Sequence, residues 1–426
     1  MKNHTLLIAA SMMSMLFLFS ACKKEGPTEP AGDLTGAAEK VNQANQILIP
    51  KIIALVNSGD TTAFNLSSAA ALYSEVLTLD ANNKDAHFGL ALIDVLSLGN
   101  NPDLRNLFGN LNIVVGPGIL KSFAAPNLTS YGTLMKDRLF GAFSGSMTRA
   151  LGKGTSLQVD HPVSYYQNII ETSFLPNLAS AINHLTVVLQ TSTYAFIITP
   201  QMANGDITET HRIDATEINL LKALIQLVAT DASLVVSYNI DYSSSDSVAV
   251  FQAWQAASSF LALRTNGSQR MKDVKTHLTG AASSIQASLN YLMTEPPNPE
   301  TDLINYNPAD QQAFLQVISS LDSVKKVLSG PMTFGGVPTV NFKNFFDDAI
   351  PNYKQMVPAY TVSVQRNFSF GRYDATLTWT ATSFDTWIFP DPTMRGLFPG
   401  MTDANLKVQL ELSALNWQRT VLISGF

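Results

Sequence analysis

The chain has a single cysteine among its 426 residues. One cysteine cannot form an internal disulfide, so the fold must rest on packing rather than covalent staples. Charge is also scarce. Asp, Glu, Lys and Arg make up 14% of the chain, against roughly 25% in an average soluble domain. Ser, Thr, Asn and Gln supply the polar surface instead, which suits an exported protein. The formal net charge is -6, and no basic stripe runs through the body of the chain. Such a surface has no electrostatic reason to seek phosphate backbones, and nucleic-acid binding is not expected. Beyond the N-terminus no run looks long and apolar enough to cross a bilayer. Hydrophobic residues still reach 46%, ample for one large core or two smaller ones.

Recognisable reaction chemistry is missing too. His87, His161, His184, His211 and His277 are spread along the chain. No two of them have the spacing that places two ligands on one helical face, and no cysteine assists them. His211 and Asp214 stand three apart, a pairing common by chance. The Gly-Lys-Gly at 152–154 departs from a phosphate loop, because Met147 stands where the first glycine belongs and Gly154 follows Lys153. There is no Gly-x-Ser-x-Gly elbow and no dinucleotide fingerprint. Asp347 and Asp348 are adjacent, and adjacent acids on a helix point about 100° apart, so they do not form an acid/base pair. "LDANNKD" and "DPTMRGLFPGMTD" carry oxygen ligands without the spacing of a calcium loop. No catalytic residue, metal or cofactor is therefore expected, and the chain is read as a non-enzyme.

What is present begins at the N-terminus. Lys2 and His4 open a short polar region, and Leu6 to Phe19 form an apolar run of signal-peptide length. Ser20 and Ala21 then precede Cys22. Small residues before a cysteine, after such a run, resemble the lipobox of bacterial lipoproteins, with Phe19 where leucine is most usual. The resemblance implies that residues 1–21 are removed and that Cys22 is acylated on its sulfur and on its new amino group. One acyl chain anchors a protein only marginally, whereas two or three hold it stably. Residues 22–34 then read as an acylated tether, since "KKEGPTEPAGD" cannot build a core. Lys23 after the cysteine implies, by the same resemblance, onward transport to an outer membrane.

From Thr35 the pattern turns helical. Ala38, Val41, Ala44, Leu48, Ile52 and Leu55 recur at helical spacing, and Pro50 is expected to kink or split the segment. Residues 60–98 are the most informative. "AAALYSEVLTLDANNKDAHFGLALIDVL" carries Ala69, Tyr73, Leu77, Leu79, Asp80, Asn83, Ala86, Phe88, Leu90 and Ala91 in an order that resembles a tetratricopeptide repeat boundary. Ala81 stands in the usual proline position and His87 where an aromatic is common. The resemblance implies a helix over 65–79, a turn, and a second helix over 84–98. No second copy appears at a spacing of about 34 residues. Further helices are expected at 130–151, 163–191, 215–239, 247–263, 269–293 and 309–328. Asp214 followed by Glu217 is the signature of a capping box before Ile218, Leu221, Ile225 and Val228.

Two places break the helical reading. Tyr194 to Asp214 is expected to form a β-hairpin around Asn204-Gly205. From about residue 360, "TVSVQ", "ATLTWTAT" and "LKVQLELS" alternate like strands. The expected architecture is mainly α: an irregular helical array over 35–359 and a β-containing cap over 360–426. Trp379, Trp387 and Trp417 are three of the four tryptophans and fall in that cap. Trp387, Phe389, Asp391, Phe398 and Trp417 form the expected interaction surface. The function these readings imply is an envelope lipoprotein that binds or scaffolds a protein or peptide. A solute- or glycan-binding lipoprotein feeding a transporter is the alternative.

Overall fold

The computed structural model describes residues 35–58, 65–98, 162–191, 193–205, 207–241, 257–295, 302, 304, 306–333, 339–356, 362–369, 372–379, 388–408 and 423–424. Cys22, the helix expected at 130–151, residues 152–156, Trp387 and Trp417 lie outside them. The protein is mainly α-helical with short antiparallel strands. The chain forms two compact units, which do not divide at residue 360. One comprises Met1–Leu157, Tyr166–Ala232 and Thr276–Val324, the other Gln158–Tyr165, Ser233–Lys275 and Lys325–Phe426.

In the first unit, α1 (Thr35–Ser58) runs unbroken through Pro50. Pro50 lacks only one intrahelical donor, and Leu48, Ile49, Ile52 and Ile53 around it are buried, so packing keeps the helix whole. Its inward stripe is Ala37, Val41, Ala44, Leu48 and Ile52; Ala38, expected on that face, is exposed. α2 (Ser67–Leu79) and α3 (Lys84–Ser97) follow. The turn between them is made by side chains. Asp80 accepts from the Asn82 amide at 3.0 Å, and Asn83 caps α3 by accepting from the Ala86 amide at 3.0 Å. The oxygens of "LDANNKD" are thus used in a turn and a helix cap. Ala69, Tyr73, Ala86, Phe88 and Ala91 are buried, whereas Leu79 is 56% exposed. The helices approach closely at Gly89, where an added Cβ would lie 2.3 Å from the Tyr73 ring.

α4 (Val163–Ile169) passes through a π-helical turn, Ile170–Phe174, into α5 (Leu175–Val188). Leu178, Ala181, Leu185 and Val188 form the buried stripe of α5. The expected hairpin is present as β1 (Phe196–Ile198) paired antiparallel with β2 (His211–Ile213). Phe196 packs on Phe88, with ring centroids 4.9 Å apart. Asn204 and Gly205 take positive φ, 52° and 83°, but they close a turn in which the Gly205 amide reaches the Pro200 carbonyl at 2.9 Å. They do not link the strands directly.

β2 leads into α6 (Ala215–Ser237), followed by α7 (Gly267–Thr294) and α8 (Gln311–Ser329). Ala223, Ala281, Ile285, Leu289, Phe314 and Leu321 pack as one cluster. α6 is long and apolar enough to cross a membrane by length and composition, with a mean hydropathy of 1.6, contrary to expectation. Yet 61% of that window is buried within the fold, as in the core helix of a globular domain. Gln226 accepts from Ser284, and the Thr216 carbonyl accepts from Ser288, so buried polar groups on α6 find partners on α7.

In the second unit, residues 257–263 form a turn and isolated bridges rather than the end of a helix. Leu261 has φ 58°, and Ala262 and Leu263 bridge to Asn352 and Tyr238. α9 (Phe342–Asp347) is capped by Asn341. Asp347 pairs with Lys275 and Lys343, while Asp348 pairs with Arg395. The adjacent acids thus serve separate cations. β3 (Val362–Ser369) and β4 (Arg372–Trp379) form a hairpin, with β5 (Ile423–Ser424) on its edge. Residues 403–408 are helical, so "LKVQLELS" begins as a helix and not a strand.

The Tyr73–Gly89 contact leaves no room for a methyl group, and overpacking costs about 1–3 kcal/mol. Gly89→Ala should lower stability by that amount. Gly36→Ala, with nothing within 4 Å of the added carbon, should leave the thermal midpoint unchanged or raised. Calorimetry of both variants checks this.

Candidate functional site

Charged groups concentrate where β2 meets α6. Asp214 is the N-cap of α6: its side chain accepts from the Thr216 amide at 2.7 Å, and Glu217 reaches back to the Asp214 amide at 3.0 Å. This is the expected capping box. The other Glu217 oxygen accepts from the Ile304 amide at 3.2 Å. Two residues before Asp214, Arg212 enters from the strand. Its Nη1 lies 3.1 Å from Asp214 Oδ2, 2.6 Å from Glu295 Oε1 and 3.0 Å from Asp302 Oδ1. Glu295 follows the C-terminus of α7, and residue 302 bridges to Arg212 through the backbone.

The side chains of Asp214, Glu295 and Asp302 are 2%, 7% and 5% exposed. Burial works against the Arg212 charge, but the hydrogen bonds to Glu295 and Asp302 and the charge of Asp214 outweigh it and raise its pKa further. Burial, then the Asp214 charge, pushes Glu217 up to about 9. Burial, reinforced by Asp214, pushes Glu295 up to about 8 although Arg212 opposes it. Both shifts favour the protonated carboxyl. Oxygens of Asp214, Glu295 and Asp302 lie within 4.8 Å of one another, a spacing that could hold a metal ion. The Arg212 nitrogen occupies that position, so the guanidinium is the cation this set holds.

His211 does not join the cluster. Successive strand residues project to opposite faces, so His211 and Arg212 diverge, and Asp214 faces Arg212. Burial lowers the His211 pKa, partly offset by Glu209. The expected surface near the C-terminus is partly a local core. Phe389 is 4% exposed and packs with Met401 and Leu406, with Phe398 and Met394 against them. It is an internal residue, not an exposed anchor, because the loop folds back on it: its amide donates to Asp403 at 2.8 Å. Burial pushes the Asp391 pKa up, but hydrogen bonds from the Thr393 hydroxyl at 2.6 Å and from the Arg395 and Thr393 amides at 2.6 Å and 2.9 Å together lower it.

Sequence reasoning missed two associations. Arg212, Glu295 and Asp302 are far apart in the chain, and only the capping box marked the place. His87 and His184 also meet, across α3 and α5; no spacing rule links residues from separate helices. No protein-family model matches the chain, and neither a curated protein nor a solved structure does.

Removing one partner of a buried ion cluster costs about 3–5 kcal/mol. Arg212→Met should destabilise the protein by that amount in urea unfolding. Glu217 and Glu295 bind protons on folding. Their contribution is complete below the ordinary carboxylate value of 4.5 and is lost as pH rises toward about 9. Glu217→Gln keeps an acceptor oxygen but cannot titrate. The fall in its urea midpoint across that range should be shallower than in the wild type.

Proposed function

We propose that the chain is a bacterial envelope lipoprotein, anchored by acylated Cys22, whose helical body binds or scaffolds a protein or peptide without transforming it. The observation that carries this reading is the N-terminal coincidence. A basic start, the apolar run Leu6–Phe19, the small residues Ser20 and Ala21, the sole cysteine and a tether of Pro, Gly and charges occur in that order. Lys23 favours the outer membrane.

Two structural features support a binding role. α1, α2, α3 and α5 pack successively, as in repeat-like helical arrays that offer extended surfaces. The group of side chains that most resembles a reactive centre is already occupied internally: Asp214, Glu295 and Asp302 surround Arg212. A general acid or base needs a free edge toward substrate, and these oxygens face a guanidinium instead.

Cys22→Ala should abolish incorporation of radioactive palmitate and release the protein from the membrane fraction. Label retained by the variant would refute the anchor. Cross-linking in the native cell, followed by mass spectrometry of tagged protein, should return one reproducible envelope protein. A co-purifying glycan or small solute with no protein would instead favour a solute-binding lipoprotein serving a transporter.

A further inference from the structure

His87 lies in the first turn of α3, and Asp94 lies two turns further along the same helix. His184 comes from α5. The two rings approach with Nδ1 2.6 Å from Nδ1, centroids 4.9 Å apart and planes inclined at 47°. Such a contact needs one donor and one acceptor. His87 Nε2 lies 3.0 Å from the Ala81 carbonyl oxygen. A carbonyl only accepts, so His87 carries its proton on Nε2 and offers a lone pair at Nδ1. His184 must then donate from Nδ1, and its neutral ring is left with a lone pair at Nε2.

That nitrogen faces Asp94 Oδ2 at 4.0 Å. Oδ2 is buried and has no hydrogen-bond partner. Two lone pairs facing each other at this distance repel, and a cation between them would remove the repulsion. A metal fits poorly. Tetrahedral zinc with bonds of about 2.0–2.2 Å brings neighbouring ligand atoms closer than this gap, and an ion midway would be held almost linearly by two ligands. A proton fits. On His184 Nε2 it makes the contact with Asp94 an ion pair, while the imidazole of His87 stays hydrogen-bonded to the Ala81 carbonyl.

We propose that Asp94, His184 and His87 form a proton-operated latch between α3 and α5, closed by a first proton and opened by a second. Of the four ring nitrogens, only His87 Nδ1 is then left to take a second proton. It would set two N–H groups and two positive rings against each other at a separation that holds one hydrogen. Burial, then the His87 ring, lowers the His184 pKa, and burial raises that of Asp94 although Ser180 opposes it. The two groups thus approach each other from opposite sides. The signs are opposite. The raised carboxyl costs stability near neutrality and is relieved as pH falls. The lowered imidazole contributes above its unfolded value of about 6.5 and loses that contribution below it. Neighbouring titratable groups are already engaged: Lys84 donates to the Val187 carbonyl, Tyr194 to Asp85 and Tyr73 to Asn45.

The test uses the full chain in detergent, with ¹⁵N-labelled histidine. At about pH 8, His87 should show the Nε2–H tautomer and His184 the Nδ1–H tautomer; matching tautomers would overturn the proposal. Hydrogen exchange, corrected for its intrinsic pH dependence and referenced to α8, reads the latch itself. Protection of 84–97 and 175–188 should hold or rise with the first proton. It should then fall by up to about tenfold per pH unit with the second, as linkage to one proton requires. His184→Asn keeps an amide donor toward His87 but offers no far-side nitrogen, and should flatten the profile. Wild-type protection that tracks α8 throughout, or an unchanged profile in His184→Asn, would sink the latch. A gain in protection with added zinc that is lost in Asp94→Asn would replace the proton by a metal.

Discussion

A single guanidinium nitrogen faces three carboxyl groups contributed by separate stretches of chain. Arg212 comes from a three-residue strand too short to be stable alone. Asp214 begins α6, Glu295 follows α7, and residue 302 lies on the segment leading toward α8. Bringing four acids, including Glu217, into a low-dielectric region is unfavourable unless charge is compensated. Compensation comes in two forms here, one fixed cation and a shift of two glutamates toward the protonated form. The start of α6, the end of α7 and the β2 edge are thereby held in one register.

The consequences spread through packing. Once α6 is placed, its buried polar residues must meet partners, and Ser284 and Ser288 on α7 supply them. The apolar cluster shared with α8 adds the non-directional part of the stabilisation. The polar bonds add registry, since a slip along the helix would leave several buried groups unpaired. A helix of membrane-spanning hydropathy thereby belongs to a core, with Gln226 and the Thr216 carbonyl bonded to α7.

A different economy governs α1, α2, α3 and α5. Contacts there are made by small residues and close approach, with Gly89 against Tyr73 as the extreme. Polar groups enter as isolated, well-aligned interactions: the Asn83 cap, Tyr194 on Asp85, and the histidine pair. Such an interface is tight where it is apolar and titratable where it is not.

The mainly helical class, the helix–turn–helix at 67–97, the capping box at Asp214 and the hairpin before α6 were all legible from local pattern. Each is encoded by residues a few positions apart, through helical period, turn chemistry or cap geometry. The N-terminal pattern that resembles a lipobox is local in the same sense and remains a property of the sequence. Local reasoning failed where long-range packing decided the outcome. Pro50 sits inside a continuous helix because its neighbours are buried, residues 257–263 turn because they bridge to distant chain, and Phe389 is internal because Asp403 folds back on it. The two polar centres belong to this second class. Arg212 with Glu295 and Asp302, and His87 with His184, are brought together by helix packing alone, and their protonation follows from burial that no single stretch of sequence expresses.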